Sequence, residues 1–350
     1  MDVREGVALA DLTTLRVGGN ARYVLTLSTE EDIPAALAFI RERGLPFVVL
    51  GQGSNVLADD EPYDGVVLLM RIPGVTFEDD GEEIIARVGA GVSWDDFVRE
   101  CAARSLWGIE NLAGIPGTVG AAPVQNIGAY GAEVHTVIES VTAYDTDTMQ
   151  MRVFARAECG FSYRDSRFKH EPALIIVSVT FRLRKNGMPA VEYADLIAAR
   201  AQGKDVSTPA AIGETVRSVR AAKFPDLTEY GTAGSFFKNP FLTHEAYDAL
   251  SERYRTKIAP YGGIPLYPVP GQVKVPLAFI LDKLLGLRGY RAGRAFLFGN
   301  QPLVLVADTH ATAHDVDTLA REIETKVYDA TGIVIEREVR DLIFHEHRLK

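Results

Sequence analysis

A long uncharged segment near the middle of the chain limits what the chain can fold into. Residues 111–132 contain no Asp, Glu, Lys or Arg, but five glycines and two prolines. Such a segment offers peptide N–H groups beside flat apolar surface, which suits a large planar ligand that carries phosphates. A buried crossover loop is the alternative, and it would have to pair many backbone groups within the protein. The segment therefore predicts either a ligand-binding loop or a buried crossover.

A second glycine-rich segment directly follows a predicted buried strand at 46–50. Glycines at this position let backbone N–H groups converge on an anion, and two polar side chains add further donors. No Gly-Lys-Ser/Thr follows, so this is not a Walker A loop, and Val56 breaks the dinucleotide-binding fingerprint. A simple glycine turn between strands explains the same residues equally well. The segment consists of Gly51, Gln52, Gly53, Ser54 and Asn55.

Hydrophobic periodicity predicts helices and strands along the whole chain. The first helix carries Ile33, Leu37 and Ile40 on one face, and Ser28 with Glu31 predicts its capping box. A proline after Lys223 ends a helix predicted at 211–222. We further predict strands at 21–27, 46–50, 66–70, 84–88, 140–144, 174–183, 302–307 and 333–335, and helices from Ser93 and at 243–253, 275–286 and 313–330.

Composition narrows the class of protein. The 350 residues carry a formal net charge of −10 and are 47% hydrophobic, which predicts two or three domains with their own cores. An acidic surface argues against nucleic acid and anionic membranes as partners. The start of the chain lacks an apolar signal core, and Cys101 and Cys159 match no zinc spacing, so we expect a cytoplasmic protein without a metal site.

Polar candidates elsewhere each have an ordinary explanation. Arg164 stands beside Asp165, which by default predicts a surface ion pair. Ser235 follows a glycine in a turn-rich segment, and residues 336–340 resemble a charged strand edge. The spacing in His345-Glu346-His347 is not that of a metal-binding pair. The residues alone thus predict a cofactor-binding α/β enzyme without defining its reaction.

Five segments in order carry a family resemblance. They are GQGSNVL at 51–57, GIPGTVGAAPVQNIGAYG at 114–131, YRDSRFK at 163–169, GSFFKNP at 234–240 and EREVR at 336–340. Together they resemble the UDP-N-acetylenolpyruvoylglucosamine reductases, the flavoenzymes of bacterial peptidoglycan synthesis, over nearly the whole chain. The segments GSFFKNP, QNIGAYG and YRDS are the most specific.

The resemblance implies an α+β protein with the FAD-binding fold of the vanillyl-alcohol oxidase (PCMH) type. Two α+β FAD-binding domains, 1–71 with 332–350 and 72–224, would hold the cofactor, and a third α+β domain, 225–331, would bind the substrate. The chain lacks the Gly-Gly-His to which covalent flavin is often attached, so FAD would be non-covalent. The implied cofactor contacts are Gly51, Gln52, Gly53, Ser54, Asn55, Ile115, Pro116, Gly117, Ile127, Gly128 and Arg340.

The resemblance also implies a reaction in two halves. NADPH first reduces FAD; the enolpyruvyl group of UDP-N-acetylglucosamine enolpyruvate then receives hydride at C3 and a proton at C2. Arg164 and Glu338 would stabilise the enolate-like charge, and Ser235 would supply the proton, its acidity raised by a neighbouring cation such as Lys238 or Arg164. An ionised carboxylate would repel the enolate, so we infer that Glu338 is protonated or shares a proton in the reduced complex, which requires burial or a like-charged neighbour.

Substrate contacts follow from the same motifs. Tyr193 matches a tyrosine in a mobile loop that closes on the substrate diphosphate, which implies the type I branch of the family. Lys223, Lys238 and Asn239 match further substrate contacts. The chain departs from its relatives at Phe279, Phe298 and Ala307, which puts the packing of the third domain in question. We expect a monomer or a weak dimer.

Two other functions remain open from the sequence. Another FAD-dependent alcohol or lactone oxidase of the same fold would use oxygen as its acceptor instead of consuming NADPH with the UDP-sugar. A non-catalytic UDP-sugar or flavin binding protein would have no need of Ser235.

Overall fold

The computed structural model describes residues 1–349 and contains α-helices and β-strands in mixed order. The α-helices are α1 (Asp32–Arg43), α2 (Trp94–Ala103), α3 (Ala194–Ala201), α4 (Pro209–Lys223), α5 (His244–Arg253), α6 (Arg255–Ile258), α7 (Leu277–Phe279) and α8 (Ala313–Thr331). The strands are β1 (Asp2–Ala8), β2 (Asn20–Leu27), β3 (Phe47–Leu50), β4 (Val56–Leu57), β5 (Tyr63–Met70), β6 (Val75–Asp80), β7 (Glu83–Gly89), β8 (Gly128–Ala129), β9 (Ala132–Glu133), β10 (Ile138–Asp145), β11 (Gln150–Ala155), β12 (Leu174–Arg184), β13 (Gly231–Ser235), β14 (Phe241–Leu242), β15 (Tyr267–Val269), β16 (Gln272–Lys274), β17 (Arg291–Ala292), β18 (Ala295–Phe298), β19 (Gln301–Ala307) and β20 (Arg340–Asp341).

The first sheet positions the GQGSN loop. Its strand order is β1-β2-β5-β3, and β2, β5 and β3 are parallel. Helix α1 lies between β2 and β3 in the chain and buries Ile33, Leu37 and Ile40 completely. The loop at 51–55 leaves the carboxyl end of β3. This is the edge at which parallel sheets of α/β proteins bind ligands.

The second sheet supports the uncharged segment. It is antiparallel, in the order β11-β10-β12-β7-β6. Helix α2 buries Trp94 and Phe97 against Phe181 of β12. The indole N–H of Trp94 donates to the carbonyl oxygen of Leu112 at 2.9 Å. The start of the 111–132 segment is therefore fixed to the core of this sheet.

A third sheet, β13-β19-β18-β17, packs against α8, and a small sheet, β14-β16-β15, flanks it. The chain then returns to the first part of the molecule, where β20 pairs in parallel with β4. This pairing places the EREVR segment beside the GQGSN loop, although 283 positions separate Asn55 from Glu338.

Buried apolar residues form three clusters. One spans the facing sides of the first and second sheets, one lies on the other side of the first sheet, and one fills the third sheet and α8. Because the largest cluster joins two sheets, the boundaries of the three expected domains stay a prediction. Within residues 1–349, no helix is both long enough and apolar enough to cross a membrane.

Three local expectations are wrong. The expected capping box of α1 is absent because the Asp32 carboxylate, not Ser28 or Glu31, accepts the backbone N–H groups of residues 28 and 29. Residues 333–335 form no strand. The helix expected at 275–286 consists of the short α7 and a π-helical turn, Ile280–Leu284.

Candidate active site

The two glycine-rich segments pack directly against each other. The side-chain oxygen Oε1 of Gln52 accepts the N–H of Gly117 at 3.0 Å, and Oγ of Ser54 donates to the carbonyl oxygen of Pro116 at 3.0 Å. The side-chain amide of Asn55 donates to Oε1 of Gln125 at 2.6 Å. These side-chain contacts join the two loops into one surface.

Several glycines in these loops have no room for a side chain. A Cβ on Gly51 would lie 2.6 Å from Oγ1 of Thr118, and one on Gly53 would lie 2.2 Å from the carbonyl oxygen of Leu12. Gly53 and Gly117 also have positive φ angles of +63° and +131°. The backbone of each loop can therefore approach a ligand and its neighbouring loop closely.

The first cavity of the site, about 180 Å³, lies over these loops. Residues 51–55 line it, together with Pro116, Gly117, Ile127 and Arg340. Lys169 adds a second cation, and the described residues that line this cavity include no Asp or Glu. Glycine-loop N–H groups, two cations and apolar walls fit a dinucleotide such as FAD, with its pyrophosphate at the loop.

A larger second cavity, about 550 Å³, adjoins the first. Both are lined by Ser54, Asn55, Pro116, Gln125 and Ile127. The second also contains Arg164, Ser235 and Glu338, the three expected catalytic residues, with Ile115, Gly128 and Asn239. The structure thus brings residues from all five motifs to one cavity.

The side chains of Arg164 and Glu338 are in direct contact in this cavity. Nε of Arg164 lies 2.9 Å from Oε1 of Glu338, and Nη2 donates to the carbonyl oxygen of Gly128 at 2.6 Å. Only 17% and 12% of the two side chains are exposed. The expected ion pair with Asp165 is wrong, because that carboxylate contacts His170 at 2.8 Å.

Burial decides the direction in which the pKa of Glu338 shifts. Removal of the carboxylate from water raises its pKa, and the opposing attraction of Arg164, Lys169 and Lys238 does not cancel this effect. The carboxyl group is therefore easier to protonate than an exposed glutamate. This direction agrees with the protonated Glu338 inferred from the chemistry.

Ser235 ends β13 at an irregular point of the third sheet. Its neighbour Gly234 has a φ of +79°, and the pairing register with β19 shifts between Thr232 and Ser235. Such irregularities often turn a side chain towards an active site. Nζ of Lys238, one of the two cations expected to acidify the Ser235 hydroxyl, lies 2.8 Å from Oε2 of Glu336.

The expected substrate contacts are more scattered. Tyr193, Lys223 and Lys238 line neither cavity, whereas Asn239 lines the second. Tyr193 packs edge-on against Tyr130, with ring centres 5.4 Å apart. Nζ of Lys223 lies 2.6 Å from Oδ2 of Asp195, and Oδ1 of Asn239 accepts the N–H of Leu277 at 2.9 Å.

Other residues of the site were missed at the sequence level. Lys169 lines the first cavity, and Arg217 and Arg220 line the second. The sequence contains signals for these residues, because Lys169 stands in the YRDSRFK motif and the two arginines are one helical turn apart on α4.

The departures at 279, 298 and 307 line neither cavity; Phe279 packs against Tyr261. Among the side chains that the structure describes, those of residues 1–343 and 346–349, no group of three or more His, Cys, Asp or Glu could hold a metal ion.

Comparison with known families agrees with this arrangement. Residues 21–153 match the FAD binding domain family, and residues 226–342 match the C-terminal domain of UDP-N-acetylenolpyruvoylglucosamine reductase. With its two adjoining cavities, the fold defines an FAD-binding flavoprotein, and the expected α+β FAD-binding fold is confirmed.

Relatives over the full chain define the family more closely. A UDP-N-acetylenolpyruvoylglucosamine reductase from Ralstonia nicotianae is 41% identical over 93% of this chain and 95% of its own length. One from Pseudomonas putida is 38% identical over 96% and 97%. A solved structure, the reductase from Thermus caldophilus, has 27% identity and a TM-score of 0.66 over 97% of this chain and 99% of its own. The chain belongs to the UDP-N-acetylenolpyruvoylglucosamine reductase family.

Proposed function

We propose that this protein reduces the enolpyruvyl group of UDP-N-acetylglucosamine enolpyruvate to a lactyl ether, which gives UDP-N-acetylmuramate for peptidoglycan synthesis. NADPH is the proposed reductant. The observation that carries the proposal is the buried Arg164–Glu338 pair, which shares a cavity with Ser235 directly beside the glycine loops. The names of the full-length relatives support the same activity.

The cofactor would bind in the first cavity. Backbone N–H groups of residues 51–55 would hold the pyrophosphate, with Arg340 as a cationic contact. Residues 115–117, Ile127 and Gly128 would line the flavin. Bound FAD would supply hydride to C3 of the enolpyruvyl group after accepting it from NADPH.

The residues of the second cavity would handle the charge and the proton. Hydride addition at C3 generates negative charge at C2 and on the carboxylate. The guanidinium of Arg164 would stabilise this charge, and protonated Glu338 would donate a hydrogen bond to it without repelling it. The hydroxyl of Ser235 would protonate C2, so that one hydride and one proton complete the reduction.

Substrate binding would involve residues outside the cavities as well. We assign Tyr193, Lys223, Lys238 and Asn239 to the diphosphate and sugar, consistent with the type I branch. Tyr193 packs on Tyr130 beside α3, where a loop movement would bring it towards the second cavity. We also propose three domains with the expected boundaries, a monomer or weak dimer, and a cytoplasmic location.

A visible spectrum and a coupled assay test the proposal. The purified protein should be yellow with non-covalent FAD, released by acid or heat. NADPH oxidation should depend on added UDP-N-acetylglucosamine enolpyruvate under anaerobic conditions. A colourless protein that takes up no FAD would refute the cofactor assignment. Oxygen consumption with an alcohol or lactone, without NADPH oxidation, would instead identify an oxidase.

A further inference from the structure

Lys169 directs its ammonium group at the backbone of a catalytic residue. Its Nζ donates to the carbonyl oxygen of Arg164 at 2.8 Å. The carbonyl oxygen of Lys169 in turn accepts Nη1 of Arg340 at 2.9 Å. Lys169 therefore lies between the expected cofactor contact Arg340 and the expected catalytic residue Arg164.

The backbone that Lys169 contacts is strained. Arg164 has a φ of +55°, in the left-handed region that non-glycine residues avoid. It occupies the third position of a tight turn, in which Ser162 and Asp165 exchange backbone hydrogen bonds of 3.0 and 3.2 Å. A turn with positive φ only at this position favours glycine there. An arginine in this conformation needs support from its surroundings.

Four residues form a closed chain of contacts around this turn. Arg164 pairs with Glu338 at 2.9 Å, and Arg340, two residues further on, holds Lys169. Lys169 completes the chain through the carbonyl oxygen of Arg164. Displacement of the Arg164 backbone would therefore move the guanidinium away from both Glu338 and the substrate.

We propose that Lys169 is a positioning residue, which holds Arg164 in its left-handed conformation and so aims the guanidinium at Glu338 and the enolate. The inference rests on the proposed function. Burial and the nearby cations Lys238 and Arg340 lower the Lys169 pKa, but the amine keeps an N–H donor in either protonation state. Its donation to the carbonyl does not require the positive charge.

The test compares three variants of the holoenzyme. Lys169→Met removes the donor at similar length, and Lys169→Arg restores one. Lys185→Met is the matched control, because Nζ of Lys185 also donates to a carbonyl oxygen, that of Gly81 at 2.7 Å, at the edge of the second sheet. Stopped-flow measurements would follow flavin reduction by NADPH and flavin reoxidation by the substrate. FAD dissociation constants would be measured separately on the apoproteins.

We expect Lys169→Met to slow reoxidation by about 100-fold, the effect of a misplacement of about 1 Å, while reduction by NADPH changes less than about 3-fold. Lys169→Arg should recover most of the rate, and Lys185→Met should match the wild type. Equal loss in both half-reactions, no recovery with arginine, or weakened FAD binding with normal reoxidation would overturn the proposal.

A crystal structure of the Lys169→Met variant gives a readout that does not depend on activity. The proposal requires Arg164 to leave its left-handed conformation or its Nε to move away from Glu338. Retention of both features would overturn it. If the wild type fails to be reoxidised by the substrate, the proposed function is wrong, and the crystal structure still decides whether Lys169 positions Arg164.

Discussion

Arg164 and Glu338 are 174 positions apart in the chain, yet Nε of the arginine lies 2.9 Å from Oε1 of the glutamate. The pair joins the connection between β11 and β12 to the C-terminal segment, and both residues line the second cavity. Burial of the carboxylate raises its pKa even with the guanidinium beside it. The structure thus sets a positive group next to a carboxyl group that holds its proton more strongly than usual.

The raised pKa of Glu338 predicts a pH dependence of stability. An unfolded glutamate loses its proton at about pH 4.3, whereas Glu338 in the folded protein keeps its proton to a higher pH. The folded state then binds more protons than the unfolded state, so stability falls as the pH rises through the folded pKa. The free energy of unfolding of the wild type minus that of Glu338→Gln should therefore decrease from pH 4.5 to pH 8 in urea titrations.

The exposed Glu229 provides the control. The difference in free energy of unfolding between the wild type and Glu229→Gln should change much less over the same pH range. An increase with pH for Glu338→Gln would mean that Arg164 holds the carboxylate ionised, which would contradict a protonated Glu338.

Ser235→Ala should separate the two half-reactions. We expect flavin reduction by NADPH to remain close to the wild-type rate, since the hydroxyl has no part in it. Reoxidation by the substrate should slow by about 10²- to 10⁴-fold, the usual contribution of a positioned acid. Ser251→Ala, which removes a hydroxyl from α5 beside the small sheet, is the control and should not affect either rate. Equal loss in both rates would instead indicate damage to the fold.

Elements with strong periodicity could be predicted from the sequence to within one or two residues. The helices expected at 243–253 and 313–330 are His244–Arg253 and Ala313–Thr331, and the strand expected at 302–307 is Gln301–Ala307. Helix α8 buries Val316, Leu319, Ile323 and Val327 at helical spacing, and β19 buries six of its seven residues. These are the patterns that hydrophobic periodicity detects. Helix α5 buries only Leu250.

Elements without such a pattern were missed. Strand β1 exposes five of its seven residues and β11 five of its six, so neither shows alternation. The Asp32 carboxylate capped α1 in place of Ser28 because an ionised acceptor bonds N–H groups more strongly than a hydroxyl. The family motifs identified Arg164, Ser235 and Glu338, but their common cavity depends on long-range pairing of β20 with β4, which leaves no local signal.

Gly53→Ala should disrupt the first glycine loop. The new Cβ would lie 2.2 Å from the carbonyl oxygen of Leu12, so the backbone must move. Gly44 at the end of α1 is a matched control, because its φ of +61° is nearly the same as the +63° of Gly53 and a Cβ there meets no atom within 4 Å. Gly44→Ala should cost about 1 kcal/mol of stability from the left-handed conformation alone.

The clash at position 53 should add about 1–3 kcal/mol to that cost. FAD should also bind at least about 10-fold more weakly to Gly53→Ala, whereas Gly44→Ala should bind it normally. Urea unfolding and fluorescence titration of the apoproteins measure the two effects. Normal FAD binding by Gly53→Ala would show that the loop does not hold the cofactor.

Tyr193→Phe should affect substrate binding more than chemistry. Burial raises the pKa of the Tyr193 hydroxyl, and the hydrogen bond to Tyr267 acts in the same direction, so the hydroxyl stays a neutral donor. In the proposed function this hydroxyl contacts the diphosphate of the substrate, and the loss of one such bond should raise KM about 10-fold with kcat nearly unchanged. Tyr254→Phe is the control, because that hydroxyl donates to the carbonyl oxygen of Ala330 in α8 at 2.9 Å. Steady-state kinetics with the UDP-sugar as the varied substrate measure both constants, and an unchanged KM for Tyr193→Phe would exclude the hydroxyl from substrate binding.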